Sequence, residues 1–437
     1  MADMFSLLRA RIKTVELVHP VGQVIGISGS LVQASGLEHR AAIGDLVQIG
    51  PISAEVIAMS GGVQTVLPEA GLAGLSLGAE VQLFGSTNLS PDDGWIGRIV
   101  DPRGRPLDGR PLFPGPNSRP VYCAPPAPAL RRPMGERLGT GMVVFDTLLP
   151  LVRGQRVGLF AGSGVGKSNL LGRFAQNVSA DVVVVALVGE RGREVRAFAE
   201  TILGRQGLSR SVIVAATSDQ SPLLRRRCAL SAMTVAEHFR DQGLNVLLLL
   251  DSVTRFAEAH REIALSAGEN SSLRGYPPSV QQSIMALAER AGPGQSGQGD
   301  ITAIFSVLVA GSDMDEPIAD ILRGVLDGHV ILDRRIAERG RFPAVDVLRS
   351  VSRSLPEAAT IEENRLIADA RELLGVWDRV EMMVQAGLYQ KGSDPSVDRA
   401  LRIWPQLDRL IGQTAGGGIE ISFRQLRDCL AGQSQSH

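Results

Sequence analysis

The sequence predicts a mixed α/β protein that begins with a small all-β domain, continues with a mainly parallel sheet, and ends with helices. Three observations predict this fold class. Short β-rich segments separated by Gly, Ser and Pro fill the chain from Gly22 to Phe84. Long apolar runs alternate with helical patterns in the middle of the chain. After about Pro356, apolar residues repeat at helical spacing and strand patterns become scarce.

The N-terminal region contains two patterns. Phe5, Leu8, Ile12 and Val15 stand three or four residues apart with basic residues between them, which predicts a short amphipathic helix over residues 1–18. Its apolar face fits packing on its own domain and docking of a partner helix equally well. The segments VIGI, ISAEVIA, VQTVL and EVQLF then predict closely spaced strands of a small barrel or sandwich.

The middle and the end of the chain differ in periodicity. The middle carries four runs that are apolar on both faces, as in strands of a buried parallel sheet: RVGLFAG, DVVVVALVGE, NVLLLLDS and ITAIFSVLV. A turn-rich connector beginning at Gly97 precedes them. The last part is predicted to be a helical domain from the spacing of Leu366, Ala370, Leu373, Trp377 and Val380.

Composition excludes several classes of protein. The 437 residues suffice for two or three domains, and 45 basic against 46 acidic residues give no general attraction to nucleic acid. No apolar run approaches the ~20 residues of a membrane-spanning helix, and the interrupted N-terminus is a poor signal peptide, so we expect a cytoplasmic protein. Cys123, Cys228 and Cys429 are widely separated, which argues against disulfide and zinc frameworks.

Residues 161–171, AGSGVGKSNLL, form a glycine-rich turn followed by an apolar helical run. Glycines let backbone N–H groups face a phosphate, and a helix starting at Ser168 adds its positive end. Lys167 can reach the outer phosphates, and the Ser168 hydroxyl can ligate Mg²⁺. The stretch fits G-x-x-x-x-G-K-[ST] except at Ala161, so a serine-capped glycine turn remains the alternative.

Two of the apolar runs end in a carboxylate. The apolar stretch of NVLLLLDS ends at Asp251, the usual partner of a phosphate loop because it binds Mg²⁺ or its water shell. VVVVALVGE ends at Glu190, which can orient a water for attack on the γ-phosphate, or can simply pair with Arg191 or Arg193. Since ligands bind at the carboxyl ends of parallel strands, the three features together favour a nucleotide-hydrolysing core.

From about residue 22 to 425 the chain resembles the ATPases of bacterial type III export systems, flagellar or injectisome, which are relatives of the catalytic subunits of rotary F- and V-type ATPases. The residues that carry the resemblance are TGMVVFDTLLPLVRGQRVGLFAGSGVGKS, VALVGERGREVR, LLLLDSVTRFAEAHREI, RGYPPSV, DEPIADILRGVLDGHVILDRRIAERGRFPAVDVLRSVSR and YQKGSDPSVDRA. The G-S-D-P of the last segment resembles the export branch more than the rotary synthases.

This resemblance implies the domain boundaries and the site residues. It implies a partner-docking helix at 1–21, a β-barrel at 22–90, a RecA-like ATPase domain at 91–355 and a helical domain at 356–437. Glu190, Lys167 and Arg353 match catalytic positions, Arg353 being the arginine finger that reaches a neighbouring subunit. Ser168 and Asp251 match the Mg²⁺ residues. The nucleotide-binding positions are Gly162, Ser163, Gly164, Val165, Gly166, Lys167, Ser168, Asn169 and Phe342, where Phe342 packs on adenine, and the secondary positions are Arg191, Glu194, Asp251 and Arg255.

The resemblance also implies cofactors and partners. ATP or ADP and Mg²⁺ are expected in the site. One chain carries both Glu190 and Arg353, so identical chains can complete each other's sites as a homohexamer. A stator-like regulator dimer would bind the N-terminal helix, a central coiled-coil stalk the loop Gly311–Pro317, and the C-terminal domain would face the export gate, substrates and chaperones. The protein would be cytoplasmic, held at the inner face of the cell membrane by partners, with no nucleic acid expected.

Two other functions remain as alternatives to export. A catalytic subunit of a rotary ATP synthase-type hetero-oligomer would hydrolyse ATP poorly as isolated chains. A hexameric RNA or DNA motor would be stimulated by single-stranded nucleic acid in a salt-dependent way. A scaffold that only binds nucleotide fits least well, because every expected catalytic position is filled. The resemblance thus implies Mg²⁺-dependent ATP hydrolysis that drives protein export, including chaperone release and substrate unfolding.

Overall fold

The computed structural model of the chain describes residues 18–272, 275–309 and 314–432. The chain forms two compact units. The first contains residues up to 127, 182–242 and 250–290, and the second contains residues 128–181, 243–249 and those from 291 onward. Among the described helices, none combines the length and the apolar character that crossing a bilayer requires.

The first unit begins with a closed barrel of six antiparallel strands. The strands are Val21–Ser28, Leu31–Ser35, Leu46–Ile49, Ile52–Ser60, Val63–Pro68 and Glu80–Gly85. The barrel closes where Val21 pairs with Gln82. Side chains alternate along each strand, so that small and branched residues such as Val32, Val56 and Val81 fill the interior.

The barrel resolves the alternative that the sequence left open, since the sheet closes on itself rather than forming a sandwich. The four predicted β-rich segments all lie in strands. Leu31–Ser35 and Leu46–Ile49 were missed, because each is short and mixes polar with apolar residues. The predicted helix over residues 1–18 lies almost entirely outside the described residues.

The rest of the first unit contains parallel strands and helices. Val182–Glu190 pairs in parallel with Ser211–Thr217, which pairs in parallel with Arg98–Val100. A strand therefore lies inside the connector that the sequence described only as turn-rich. The helices are Gly192–Ala197, Phe198–Leu203 (a π-helix), Gly204–Leu208, Pro222–Asp241, Val253–Ser266 and Pro278–Arg290, with a 3₁₀ turn at Asp93–Trp95 and a two-residue ladder between Asn88–Leu89 and Arg119–Pro120.

A buried ionic cluster joins the barrel to the helix Pro222–Asp241 within the first unit. Glu55, on a barrel strand, is 1% exposed and accepts hydrogen bonds from Arg226, from Arg227 (Nη2 to Oε2, 2.7 Å) and from Tyr122 (Oη to Oε1, 3.1 Å). Arg227 is fully buried and also donates to Glu69 at 2.8 Å. Each charge thus has a partner of opposite sign, as burial requires.

The second unit contains its own set of mainly parallel strands. Arg156–Ala161 pairs in parallel with Asp300–Leu308 on one side and with Gly328–Leu332 on the other. Val345–Ser352 runs antiparallel to Gly328–Leu332 at the edge. Short ladders are formed by Arg137–Leu138 with Leu151–Val152 and by Gly292–Pro293 with Asp300–Leu308.

The four apolar runs of the middle region are strands, as predicted. They are Arg156–Ala161, Val182–Glu190, Val246–Asp251 and Asp300–Leu308, and nearly every residue in them is buried. Ser211–Thr217, Gly328–Leu332 and Val345–Ser352 were not predicted, since Gly, Arg and Ser interrupt or flank their apolar residues. The fold class is confirmed.

The helices of the second unit include a C-terminal group that confirms the helical domain expected after Pro356. Ile361–Gln385 begins with a capping box of Thr360 and Glu363 and packs against Pro395–Ile411, where Trp377 stacks on Trp404 at 4.1 Å between ring centroids. Gly418–Leu430 completes the group. The remaining helices are Val143–Asp146, Lys167–Asn177, Pro317–Val325 and Arg334–Glu338, with a 3₁₀ turn at Pro128–Leu130.

Candidate functional site

The phosphate loop of the second unit, residues 162–168, connects the buried strand Arg156–Ala161 to the helix Lys167–Asn177. Gly164 and Gly166 have φ of 80° and 86°, a conformation that side chains disfavour. Gly166 occupies the N-cap position, so the helix begins at Lys167 rather than at Ser168 as expected. The amides of a first helical turn without a capping side chain are a typical anion site.

Ala161, the departure from the phosphate-loop pattern, is the last residue of the strand. It is fully buried and pairs with Leu308 and Leu332. An extended residue in a strand has no need of glycine's conformational freedom. The alanine therefore leaves the loop geometry intact, and the glycine positions that the geometry needs are Gly164 and Gly166.

Phe342 lies beside this loop in the second unit. A Cβ atom built on Gly166 would stand 3.1 Å from Cδ1 and 3.2 Å from Cε1 of Phe342. Phe342 is 45% exposed, so ordinary core packing does not explain its position. It presents an aromatic surface next to the loop, as expected for a residue that stacks on a base. The structure thus brings Phe342 and the phosphate loop together.

The chemistry of the loop follows from its side chains. Lys167 is half-buried and Ser168 is exposed. The loop, one cation and one hydroxyl are the groups that hold the outer phosphates of a nucleotide and ligate its metal ion. Ser163, Gly164 and Asn169 are also exposed, whereas Val165 is buried and anchors the turn.

Glu190 occupies the end of the strand Val182–Glu190 in the first unit. The register with Ser211–Thr217 shifts between Val188 and Glu190, and Gly189 takes a φ of 67° at this bulge. Such a bulge re-aims the next side chain. Glu190 is half-buried, whereas every earlier residue of the strand is buried. The strand end therefore presents a carboxylate at the rim of the sheet.

Arg255 lies next to this bulge. Its Cβ is 3.5 Å from the position of a Cβ built on Gly189, and so is Cδ of Arg225. Arg255 donates to Glu258 at 2.8 Å, and the pKa of its guanidinium is raised first by that hydrogen bond and also by the charge of Glu190. The structure thus brings Glu190 and Arg255 within electrostatic reach.

The other predicted positions of the first unit have simpler surroundings. Arg191 and Glu194 are exposed, at the N-cap and in the first turn of Gly192–Ala197, and neither bonds its side chain to the helix as a cap. Asp251 is 3% exposed at the end of Val246–Asp251, and a cis peptide bond joins it to Ser252. The hydroxyl of Ser252 caps the following helix at the Arg255 amide, 3.3 Å away.

Arg353 directly follows the edge strand Val345–Ser352 of the second unit and is exposed. Its guanidinium Nη2 donates to the carbonyl of Arg323 at 3.1 Å, and its amide donates to the carbonyl of Asp327 at 3.0 Å. Within the described part of the chain, no ion pair joins Arg353 to a carboxylate. Its side chain therefore lies on the surface, held by a neutral acceptor.

The predicted stalk-contacting loop, Gly311–Pro317, is described only from residue 314. The side chain of Asp315 is 92% exposed and lies 3.9 Å from Arg323. Across the described ranges, no group of three or more His, Cys, Asp or Glu side chains is arranged to hold a metal ion.

Sequence reasoning missed three residues of these surroundings. Gly189 forms the bulge directly before Glu190. The only sequence feature that pointed to Gly189 was its position before an acid at the end of a strand. Arg225 belongs to an RRR run that gave no clue to its placement beside the bulge. Gln155, buried directly before the phosphate-loop strand, belongs to no motif that points to its contacts.

Two family models match the chain in its central and C-terminal parts. Residues 141–352 match the nucleotide-binding domain of the ATP synthase alpha/beta family. Residues 359–428 match the C-terminal domain of the type III secretion ATPase EscN. The first match covers the phosphate loop, Glu190 and Asp251, and the second covers the C-terminal helices.

Whole-length relatives give the same assignment. The chain is 42% identical to the flagellum-specific ATP synthase of Caulobacter vibrioides, with 93% of this chain and 95% of that protein covered. It is 41% identical to that of Salmonella typhimurium, with 92% of each covered. The assembled ATPase EscN of enteropathogenic E. coli superposes with a TM-score of 0.88 at 39% identity, covering 94% of this chain and 100% of that one. The chain belongs to the family of flagellum-specific and type III secretion ATPases, and it is an ATPase.

Proposed function

We propose that the protein is a homohexameric, Mg²⁺-dependent ATPase whose hydrolysis energises export of flagellar or type III secretion proteins, including chaperone release and substrate unfolding. One observation carries the proposal. A single chain holds a strand-end carboxylate, Glu190, and an exposed arginine, Arg353, that no carboxylate of the described residues neutralises. In a ring of identical chains arranged head to tail, Arg353 of one chain can then complete the site that contains Glu190 of the next chain.

The loop residues have the chemistry to bind the nucleotide. We assign binding of the β- and γ-phosphates to Lys167 and to the backbone amides of the loop. These amides belong to Gly162, Ser163, Gly164, Val165, Gly166 and Asn169. Phe342 packs on adenine, which its exposure beside Gly166 supports. When Mg²⁺ is bound it neutralises charge on the phosphates, and Ser168 and Asp251 are the residues that we propose hold it.

The remaining residues act on the attacking water and on the transition state. Glu190 orients the water and accepts its proton, a role that its half-buried position at the strand end supports. Arg353 of an adjacent subunit stabilises charge on the transferring phosphoryl group, which is worth roughly 10³–10⁵ in rate. Arg191, Glu194 and Arg255 are proposed to support Glu190, since Arg255 already interacts with its charge.

The partners follow from the relatives. EscN is known as an assembled ATPase and in complex with its central stalk EscO. We propose a corresponding stalk at residues 311–317, a stator-like regulator dimer at the N-terminal helix, and export gate, substrates and chaperones at the C-terminal helices. These partners would hold the protein at the inner face of the membrane, in the cytoplasm. The match of residues 359–428 supports the export branch over a rotary synthase subunit.

The substitution Glu190→Gln tests the catalytic assignment. It removes the base and keeps the size of the side chain, so ATP binding should persist while turnover falls at least a hundredfold. The matched control is Glu200→Gln, at an acid that pairs with Arg196 on the surface and is 62% exposed. Binding is followed with a fluorescent ATP analogue and turnover by phosphate release. Near-normal turnover of Glu190→Gln would remove Glu190 from this role.

A further inference from the structure

Gln155 is fully buried at the base of the phosphate-loop strand, and all its polar groups are bonded within the second unit. Its Oε1 accepts from the Val152 amide at 3.0 Å. Its Nε2 donates to the carbonyl of Asp327 at 3.2 Å and to Oγ of Ser352 at 3.1 Å. The side chain therefore links the turn before the phosphate-loop strand to Asp327 and to Ser352, the residue that precedes Arg353.

The backbone at Arg353 depends on the same groups. The ladder between Gly328–Leu332 and Val345–Ser352 ends at the pair Gly328 and Ser352, one residue before Arg353. The Arg353 amide donates to the Asp327 carbonyl, the acceptor that Gln155 also uses. Gln155 thus contacts the carbonyl that accepts from the Arg353 amide and the hydroxyl of Ser352, the residue that precedes Arg353.

Further contacts make this arrangement rigid. Ser352 Oγ donates to the carbonyl of Pro150 at 2.7 Å and bonds to Ser354 Oγ at 2.8 Å. The carboxylate of Asp327 is held by Arg156, whose amide donates at 3.0 Å and whose guanidinium donates at 3.0 and 3.1 Å. Arg156 is the first residue of the phosphate-loop strand. Side chains locked by such neighbours hold a functional group within a narrow range of geometry.

We propose that Gln155 is a positioning residue for Arg353. It fixes the backbone at Ser352 and Arg353 to the start of the strand Arg156–Ala161, which leads into the phosphate loop of the same chain. This inference rests on the proposed function, in which Arg353 acts on the nucleotide of a neighbouring subunit. Gln155 then affects catalysis in the neighbour's site rather than in its own. A residue that acted only through its own phosphate loop would show the opposite asymmetry, and one that acted only through general stability would show none.

A mixed-ring experiment separates these cases. One chain carries Glu190→Gln and keeps its arginine, and is called the arginine donor. The other carries Arg353→Ala and keeps its glutamate, and is called the acid donor. Each is inactive alone under the proposed function, and the mixture recovers activity at interfaces between the two kinds of chain. Gln155→Leu is then added to one chain at a time.

The expected result is a loss of at least tenfold in the recovered kcat when Gln155→Leu is on the arginine donor, since small misplacements of a catalytic group cost up to about a hundredfold. The same change on the acid donor should cause a loss in kcat that is at least five times smaller. KM for ATP should stay constant whichever chain carries the change. Equal losses on either chain, or no loss on the arginine donor, would overturn the inference.

Controls keep the inference separate from the proposed function. If the parental mixture recovers no activity, the shared site fails, whereas recovery without an effect of Gln155→Leu refutes only the role of Gln155. Gln64→Leu on the arginine donor is the matched control, because Gln64 is equally buried but lies in the barrel. If Gln155→Leu does not fold, Ser352→Ala on the arginine donor removes one of the two bonds of Nε2 and should still lower the recovered kcat at least threefold. No loss there would also overturn the inference.

Discussion

The ionic cluster that joins the barrel to the helix Pro222–Asp241 gives a stability prediction of definite size. Glu55 is 1% exposed and compensates Arg226 and Arg227, the latter fully buried. Glu55→Gln removes the negative charge and keeps the volume. Arg227 stays fully buried and Arg226 half-buried, and only Arg227 keeps another carboxylate, Glu69 at 2.8 Å. Breaking a buried pair in this way costs about 3–5 kcal/mol.

The remaining contact with Glu69 places the expected loss in unfolding free energy near the lower end, at about 3 kcal/mol. The measurement is urea denaturation followed by circular dichroism. The matched control is Glu338→Gln, which breaks the exposed pair Arg334–Glu338, of 78% and 62% side-chain exposure, and should cost about 0.5 kcal/mol or less. A triple change, Glu55→Leu with Arg226→Met and Arg227→Met, should recover most of the loss, because apolar groups of similar volume replace buried ion pairs well and Glu69 keeps Arg103 as its partner.

The reasoning would be refuted if Glu55→Gln cost no more than Glu338→Gln. Water would then solvate the charges of the two arginines, which contradicts the burial of the cluster in the structure.

Two further predictions concern the nucleotide and pH. Phe342→Ala should raise the KM for ATP roughly fivefold to a hundredfold through lost stacking worth about 1–3 kcal/mol, with a smaller effect on kcat. Phe113→Ala, at another exposed phenyl, should change neither, and an unchanged KM for Phe342→Ala would contradict the adenine contact. Burial, aided by the charge of Arg226, lowers the pKa of His260 to about 4. As the pH falls, the imidazole of His260 is therefore protonated in the unfolded chain before it is protonated in the folded chain. The contribution of His260 to the free energy of unfolding is fully present above pH 6.5 and falls by about 2–3 kcal/mol between pH 6.5 and 4. Urea titrations at several pH values should show this slope, reduced in His260→Gln; equal slopes in both proteins would contradict it.

Local patterns predicted the elements whose residues themselves determine the structure. The four apolar runs became strands because burial on both faces requires such sequences. The family resemblance predicted that Phe342 and the phosphate loop belong to one site, and this stays a prediction; the structure places the phenyl ring of Phe342 beside Gly166.

Long-range partners explain what the sequence could not predict. The run Arg225–Arg226–Arg227 looks like a solvated basic segment, yet Arg227 is fully buried, because its partner Glu55 is 172 residues away in the sequence. Gln155 is similar, since its contact with Ser352 joins residues 197 positions apart. Such pairs depend on the tertiary arrangement, which no local periodicity encodes.

The most direct test of the shared site is the parental mixing experiment. Glu190→Gln and Arg353→Ala are purified separately, each is shown to be inactive, and the two are mixed above the concentration at which rings assemble. The proposed function predicts recovered ATP hydrolysis that is greatest near equal amounts of the two chains, because mixed rings contain interfaces with both groups intact. Verified mixed rings without activity would contradict a site shared between identical chains.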